Sequence, residues 1–449
     1  MTTPGPPTSP ATSRAVPRRI SQAVLASLGA GVVPRIGLEH VAVGRREEIA
    51  ALLRDLETVG EGGAAFRLIV GRFGSGKSFL LQLLRNYALE RGFAVADADL
   101  SPERRLTGTG GQGLATYREL MRNLSTKARS DGGALGAILE RWISAIQVEV
   151  AQAETAPDDP GFDAAVEARI LATAQSLQEL VSGFDFAKVV IAYWRGYRLD
   201  QPELREQALR WLRGEFTTKT EARAALDVRV YIDDDSWYDS LKLMAGFVTS
   251  VGYRGLLVVI DEAVNLSKIV NPVSRQANYE KLLTIFNDTM QGKASHLGVF
   301  LGGTPPFVED PRRGLFSYEA LRSRLTETRF QRDGLRDTSG PVLRLAQLTT
   351  EESFVLLHRI AEVHAVHAGT PARVADADIT DFMQETANRV GADALLTPRD
   401  MIREFIAVLN ILEANPSVGF RELVHGKGFT PRATKEEAPS DDRFADFTL

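Results

Sequence analysis

Residues 65–78 constrain this chain more than any other stretch. The apolar run Ala65-Phe66-Arg67-Leu68-Ile69-Val70 reads as a β-strand and breaks into Gly71-Arg72-Phe73-Gly74-Ser75-Gly76-Lys77-Ser78. A helix follows, its buried face marked by Phe79, Leu80, Leu83 and Leu84. G-x-x-x-x-G-K-[ST] is met at every fixed position, between a strand and a helix. Glycines let consecutive backbone N–H groups curl around phosphate oxygens that side chains would otherwise block. The helix that begins here turns its positive end toward the same anion. The segment from Gly71 to Phe79 is thus expected to cradle the phosphates of ATP, with Lys77 reaching the β- and γ-phosphates and the Ser78 hydroxyl ligating Mg²⁺.

A second element lies far downstream. Leu256-Leu-Val-Val-Ile260 is an uninterrupted apolar run of the kind a parallel strand buried on both faces requires, and it ends in Asp261-Glu262. Two acids at the carboxyl end of such a strand stand where α/β folds bind ligands. Asp261 is expected to hold Mg²⁺ through water, and Glu262 to polarise an attacking water. The bland account is a strand-end acid capping the next helix. The two elements together predict an α/β fold of the P-loop NTPase type, a parallel sheet flanked by helices, that hydrolyses ATP with Mg²⁺.

Weaker signals fill out the site. Thr304, just past the strand-like Leu297-Gly-Val-Phe-Leu301, could sense the γ-phosphate or simply turn the chain before Pro305-Pro306. Arg322 and Arg324 could supply a finger to a neighbouring subunit, or be solvated helix arginines. Arg399 sits in Thr397-Pro-Arg-Asp400, where Thr397 can cap a helix and Pro398 begin it. From there it could point at a nucleotide or at solvent. His358, His364 and His367, Asp233-Asp-Asp-Ser236, the Arg104-Arg105 and Arg312-Arg313 pairs and the four tryptophans have plainer structural roles.

The 449 residues suffice for a nucleotide-binding core with accessory domains. Residues 1–19, rich in Pro, Ser and Thr, read as a disordered leader without the apolar core of a signal peptide. Residues 20–340 read as the nucleotide-binding domain. Within it, about 125–249 form a helical insertion in which Ile138, Trp142, Ile146 and Val150 recur every four residues. Residues 341–425 read as a helical lid, and 426–449 as a loose tail ending in Phe444-Ala-Asp-Phe-Thr-Leu449. With 53 basic and 58 acidic residues the formal charge is −5, so no whole-molecule basic field holds DNA, although a local patch is compatible with it. The absence of cysteine excludes disulfides, thiol nucleophiles and cysteine-held clusters. No stretch reaches the roughly 20 apolar residues of a membrane helix, and a cytoplasmic location is expected.

With these motifs placed, the chain resembles the P-loop ATP-binding proteins found with BREX-type phage-defence genes, themselves similar to AAA+ ATPases of the origin recognition complex type. The residues that carry the likeness are Val43-Gly-Arg-Arg-Glu-Glu48, Gly71–Ser78, Asp97-Ala-Asp-Leu-Ser-Pro102, Val258-Val-Ile-Asp-Glu-Ala263, Gly302-Gly-Thr304 and Thr397-Pro-Arg-Asp400, and it spans roughly 20–425. The resemblance implies an AAA+-like core with a lid, an adenine contact by Val43 and Gly44, and a trans arginine at Arg322 or Arg324. It also implies an oligomer, or a complex with other defence proteins, with DNA as a candidate partner. Origin-type proteins continue into a winged-helix domain, for which the residues after about 425 are too few. Two functions therefore stand open: an ATPase that assembles on or moves along DNA, and a nucleotide-gated scaffold that recruits a helicase or nuclease and hydrolyses slowly.

Overall fold

The computed structural model describes residues 16–153, 155–175, 183–326, 337–390 and 397–426. They pack as two units. One comprises Arg45–Arg72 and Leu80–Leu345; the other takes Met1–Gly44, Phe73–Phe79 and Ala346–Leu449.

The larger unit is built on a parallel five-stranded sheet. In chain order its strands are β1 (Ala64–Val70), β2 (Ala94–Asp99), β3 (Leu256–Asp261), β4 (Leu297–Gly303) and β5 (Val342–Arg344). Their spatial order is β2-β3-β4-β1-β5. Because side chains alternate across a strand, each strand feeds two cores. Ala65, Ile69, Val95, Leu257, Val259, Phe300 and Leu343 pack with Leu52, Leu56, Leu81 and Leu84 of the helices Arg46–Gly60 and Lys77–Glu90. The alternate residues Phe66, Leu68, Val70, Ala96, Val258, Ile260, Val299 and Leu301 join a second core on the other face. Arg67 breaks the apolar run of β1 and is buried, its guanidinium paired with Asp55 at 2.6 and 2.8 Å. A buried arginine in mid-strand is tolerated because its charge is matched by both carboxylate oxygens.

Between β2 and β3 the described residues form seven helices, from Gln112–Arg122 to Trp237–Ser250. They share the second core: Trp142, Trp194, Trp211 and Trp237 are buried, and Trp142 and Phe186 each meet Phe247 edge to face at 5.3 and 5.2 Å. β5, three residues long, is a strand in a stretch that gave no strand signal.

The smaller unit is helical. Arg18–Gly29, Thr350–Ala368, Asp376–Val390, Pro398–Ala414 and Phe420–His425 enclose Val24, Leu28, Leu357, Ile360, Phe382, Phe405 and Leu409. Arg18 and Arg19, counted above with the leader, open the first of these helices. Residues 1–15, and the 427–449 tail with Phe444–Leu449, lie outside the described residues. No helix among the described residues is long and apolar enough to cross a membrane.

Candidate functional site

The sheet topology singles out one crevice. From β1 the chain runs through the helix Lys77–Glu90, which packs on the first core, and lands on β2 at the sheet edge. From β4 it runs through Phe307, Val308, Leu315 and Leu321, which pack on the second core, and lands on β5 beyond β1. β1 and β4 are neighbours whose connections leave toward opposite sides and opposite faces. That is a topological switch point, and ligands of open α/β sheets bind at its carboxyl end. The Gly71 N–H donates to the Gly303 carbonyl at 3.1 Å there, where β1 passes into the glycine loop and β4 into the short helix Pro305–Glu309.

At the end of β3, next to β4, the geometry is tightly specified. Asp261 Oδ1 accepts the Glu262 N–H at 2.8 Å. The same oxygen lies 2.3 Å from where a Cβ on Gly302 would stand, so any side chain on β4 there would have to displace this carboxylate. Glu262 is exposed and adopts φ 56°, ψ 33°, the left-handed region, at a cost of roughly 1–2 kcal/mol for a residue with a Cβ. Strain of this kind persists where the surroundings over-determine it, and it concentrates at active sites. Across the ladder Asp99 pairs in register with Asp261. Desolvation, with Asp261, Glu262 and Asp97 beside it, holds the Asp99 carboxyl above its usual range, against the pull of Arg104. A carboxyl whose ionisation its neighbours oppose suits a nearby cation, and carboxylate oxygens are the donors that Mg²⁺ prefers.

In the smaller unit lies the tip of the glycine loop. Gly74 and Gly76 take φ of 72° and 94°, the left-handed conformations that turn successive N–H groups inward. A Cβ on Gly76 would meet nothing within 4 Å, so that side of the loop faces open space. Ser75 is buried, and Lys77 and Ser78 open the helix that follows. Phe79 packs against the helical core, while Arg72, which belongs to the larger unit, and Phe73 are exposed.

The loop tip meets the start of Pro398–Ala414. Thr397 caps that helix, accepting the Asp400 N–H at 3.2 Å and donating to Asp400 Oδ2 at 2.7 Å. A Cβ on Gly74 would come within 2.6 Å of Thr397 Oγ1, and the Arg399 guanidinium lies 4.8 Å from the Phe73 ring centre. Val43 is half-buried against the same core. Gly44, at φ 67°, leaves room for Glu352, whose capping box with Thr349 starts the Thr350–Ala368 helix. Arg359 donates to the Ala42 carbonyl, fixing the Val43-Gly44 turn.

Other expected residues have local partners of their own. Thr304 caps the short helix Pro305–Glu309, accepting the Phe307 N–H at 3.4 Å. Arg322 and Arg324 are both on the surface helix Glu319–Leu325. Arg322 faces the exposed Glu319 at 3.7 Å, whereas Arg324 donates to Asn287 at 3.1 Å and to the Ala320 carbonyl at 2.8 Å.

Sequence reasoning did not find the residues that hold the loops in place. Asp234 accepts from Thr107 Oγ1 and from the N–H groups of Gly108, Gly113 and Leu114, all between 2.6 and 3.0 Å. Asn278 accepts the N–H groups of Leu106 and Thr107. Asn265 spans from β3 to the segment after β2. The signal that could have found Asp234 is the glycine-rich run 106–113, which needs an acceptor for its bare N–H groups.

A search of curated proteins gives no match. A protein-family model described as BREX system ATP-binding protein BrxC/D matches residues 16–427, nearly the whole chain. On that match, the chain belongs to the family of BREX system ATP-binding proteins BrxC/D.

Proposed function

We propose that this chain is a Mg²⁺-dependent ATPase of AAA+-like architecture, with the C-terminal helices as its lid, working in a BREX defence complex on or near DNA. One observation carries the hydrolytic part: Glu262 is held in a strained backbone conformation at the end of β3, beside an Asp261 carboxylate for which β4 has given up a side chain. Backbone strain that the fold maintains at a strand-end carboxylate supports a catalytic role for that carboxylate. In this reading the loop N–H groups and Lys77 bind and orient the β- and γ-phosphates. Val43 and Gly44 meet the adenine. Ser78 and Asp261 supply the oxygen ligands for Mg²⁺. Bound Mg²⁺ neutralises charge on the phosphate oxygens. Glu262 accepts a hydrogen bond from the attacking water and orients it in line. Thr304 and Arg399 contact the γ-phosphate, and Arg322, with the looser partner of the two finger candidates, reaches the neighbouring subunit.

Steady-state hydrolysis by the wild type and by Glu262→Gln, each with and without duplex DNA, tests this. The expected result is wild-type turnover that DNA raises several-fold, and a Glu262→Gln variant that still binds ATP with turnover reduced at least a hundredfold. Turnover indifferent to DNA would refute the DNA-acting part and favour the recruiting scaffold. ATP binding without any wild-type hydrolysis would remove Glu262 from its role.

A further inference from the structure

The left-handed backbone at Glu262 is closed from every side by hydrogen bonds, and one residue without an assigned role makes most of them. The Glu262 N–H is taken by Asp261 Oδ1 at 2.8 Å. Its carbonyl accepts the Asn265 N–H at 3.0 Å and Asn265 Nδ2 at 3.2 Å. The same Nδ2 donates to the Leu100 carbonyl at 2.8 Å, and the Leu100 N–H returns to the Asp261 carbonyl at 3.0 Å. The circuit runs Asp261, Glu262, Asn265, Leu100 and back, joining the ends of β3 and β2. Both neighbours of the Asn265 amide are carbonyl oxygens, which can only accept, so the atom facing them must be the NH₂ group.

We propose that Asn265 is a positioning residue for hydrolysis: its side-chain amide locks the Glu262 backbone so that the carboxylate is aimed at the attacking water. This rests on the reading of Glu262 as the residue that polarises that water. Asn265 is three residues beyond Glu262, in the single turn Ala263–Leu266. Without the amide, only the Asn265 N–H remains on the Glu262 carbonyl, and the turn loses its tie to the β2 side. Glu262 is then free to relax toward an ordinary backbone conformation. A displacement of about 1 Å in a catalytic group can cost on the order of a hundredfold in rate while leaving substrate affinity intact.

The test uses Asn265→Asp, which keeps the shape and removes the donor, and Asn265→Ala. Ser267→Ala serves as a control in the same turn, since Ser267 Oγ donates only to the Val264 carbonyl at 2.7 Å, outside the circuit. For each, kcat, KM and the affinity for a fluorescent ATP analogue would be measured, with amide hydrogen exchange over Glu262–Leu266 as a readout independent of turnover. Both Asn265 variants are expected to lose roughly tenfold to a hundredfold in kcat. Their ATP affinity should stay within about twofold of wild type and exchange should quicken across the turn. Ser267→Ala should keep wild-type kcat. Wild-type kcat in Asn265→Asp, an equal loss in Ser267→Ala, or a fall in affinity matching the fall in kcat would each overturn the proposal. Glu262→Gln run in parallel separates the two ideas. If it hydrolyses normally the role of Glu262 fails, and if it is inactive while Asn265→Asp is normal, only the role of Asn265 fails.

Discussion

A single methyl added at Gly302 would press directly on the proposed Mg²⁺ ligand, Asp261. It lies on β4, between β3 and β1, opposite Ile69 in the β1 register. A Cβ built there would stand 2.3 Å from Asp261 Oδ1, 3.1 Å from Asp261 Cγ and 3.0 Å from Leu81 Cδ1. The Leu81 end can swing aside. The carboxylate would have to retreat by about 1 Å to reach ordinary van der Waals contact. Its Oδ1 accepts the Glu262 N–H at 2.8 Å, so that retreat breaks a hydrogen bond to a charged acceptor. Overpacking of this size costs about 1–3 kcal/mol and the lost bond about 1.5–3 kcal/mol. Part of the two overlaps, because moving the carboxylate relieves the clash, so about 2–4 kcal/mol is expected for Gly302→Ala. At roughly 2–4 °C per kcal/mol, melting should fall by about 4–16 °C. The functional cost should be of similar size, because the displaced group is the proposed Mg²⁺ ligand: about a hundredfold in turnover, or about 2.7 kcal/mol, with a higher Mg²⁺ requirement. Differential scanning fluorimetry and a Mg²⁺ titration of ATP hydrolysis read both quantities, and retained binding of a fluorescent ATP analogue confirms a folded protein. Wild-type turnover and Mg²⁺ dependence in Gly302→Ala would refute the placement of Asp261.

Two further outcomes follow from the structure. Asp99 has its carboxyl raised by desolvation and by neighbouring carboxylates, so its ionisation opposes folding. Asp99→Asn should therefore melt higher than wild type at neutral pH. The advantage should shrink as pH falls through the raised value and vanish below the ordinary carboxylate range, where Asp99 is protonated in both folded and unfolded chains; fluorimetric melts across that range would show it. Thr397→Val removes the cap on Pro398–Ala414 and both bonds to the buried Asp400, costing about 1–3 kcal/mol. Because Gly74 packs on the same hydroxyl, ATP affinity measured by titration should weaken together with the melting temperature.

The parts of this fold that were legible in the sequence are those whose cause is local. β1 and β3 are written as apolar runs because a parallel strand covered on both faces needs them, and the loop is written as a glycine motif because Gly74 and Gly76 take positive φ. β5 was not legible: Val342-Leu343-Arg344 is too short to show a period, and it is a strand only because β1 offers a free edge. The Arg67 side chain contradicts its own strand until Asp55, twelve residues earlier, is seen to neutralise it. The circuit at Glu262 depends on Leu100, and the clamp on the 106–114 segment depends on Asp234, 126 residues from Gly108. Such contacts leave no periodic trace, because a single polar side chain aimed at a distant backbone group reads in sequence as an ordinary surface residue.

The loop tip packs in one unit with the C-terminal helices, and that decides what a phosphate would have to displace. Gly74 lies against the Thr397 hydroxyl, and Arg399 rests on the exposed ring of Phe73. A guanidinium over an exposed ring is worth about 0.5–1 kcal/mol, whereas its hydrogen bond to a charged oxygen is worth about 1.5–3 kcal/mol. An arriving phosphate would therefore win Arg399 from Phe73, although the margin, about 1–2 kcal/mol, is only some tenfold in population. Arg399 is thereby kept close to the loop and, among the described residues, committed to nothing stronger than an aromatic face. The coupling is confined to the side chain, since Thr397 and the buried Asp400 keep the first turn of the Pro398–Ala414 helix in place whether or not the guanidinium moves.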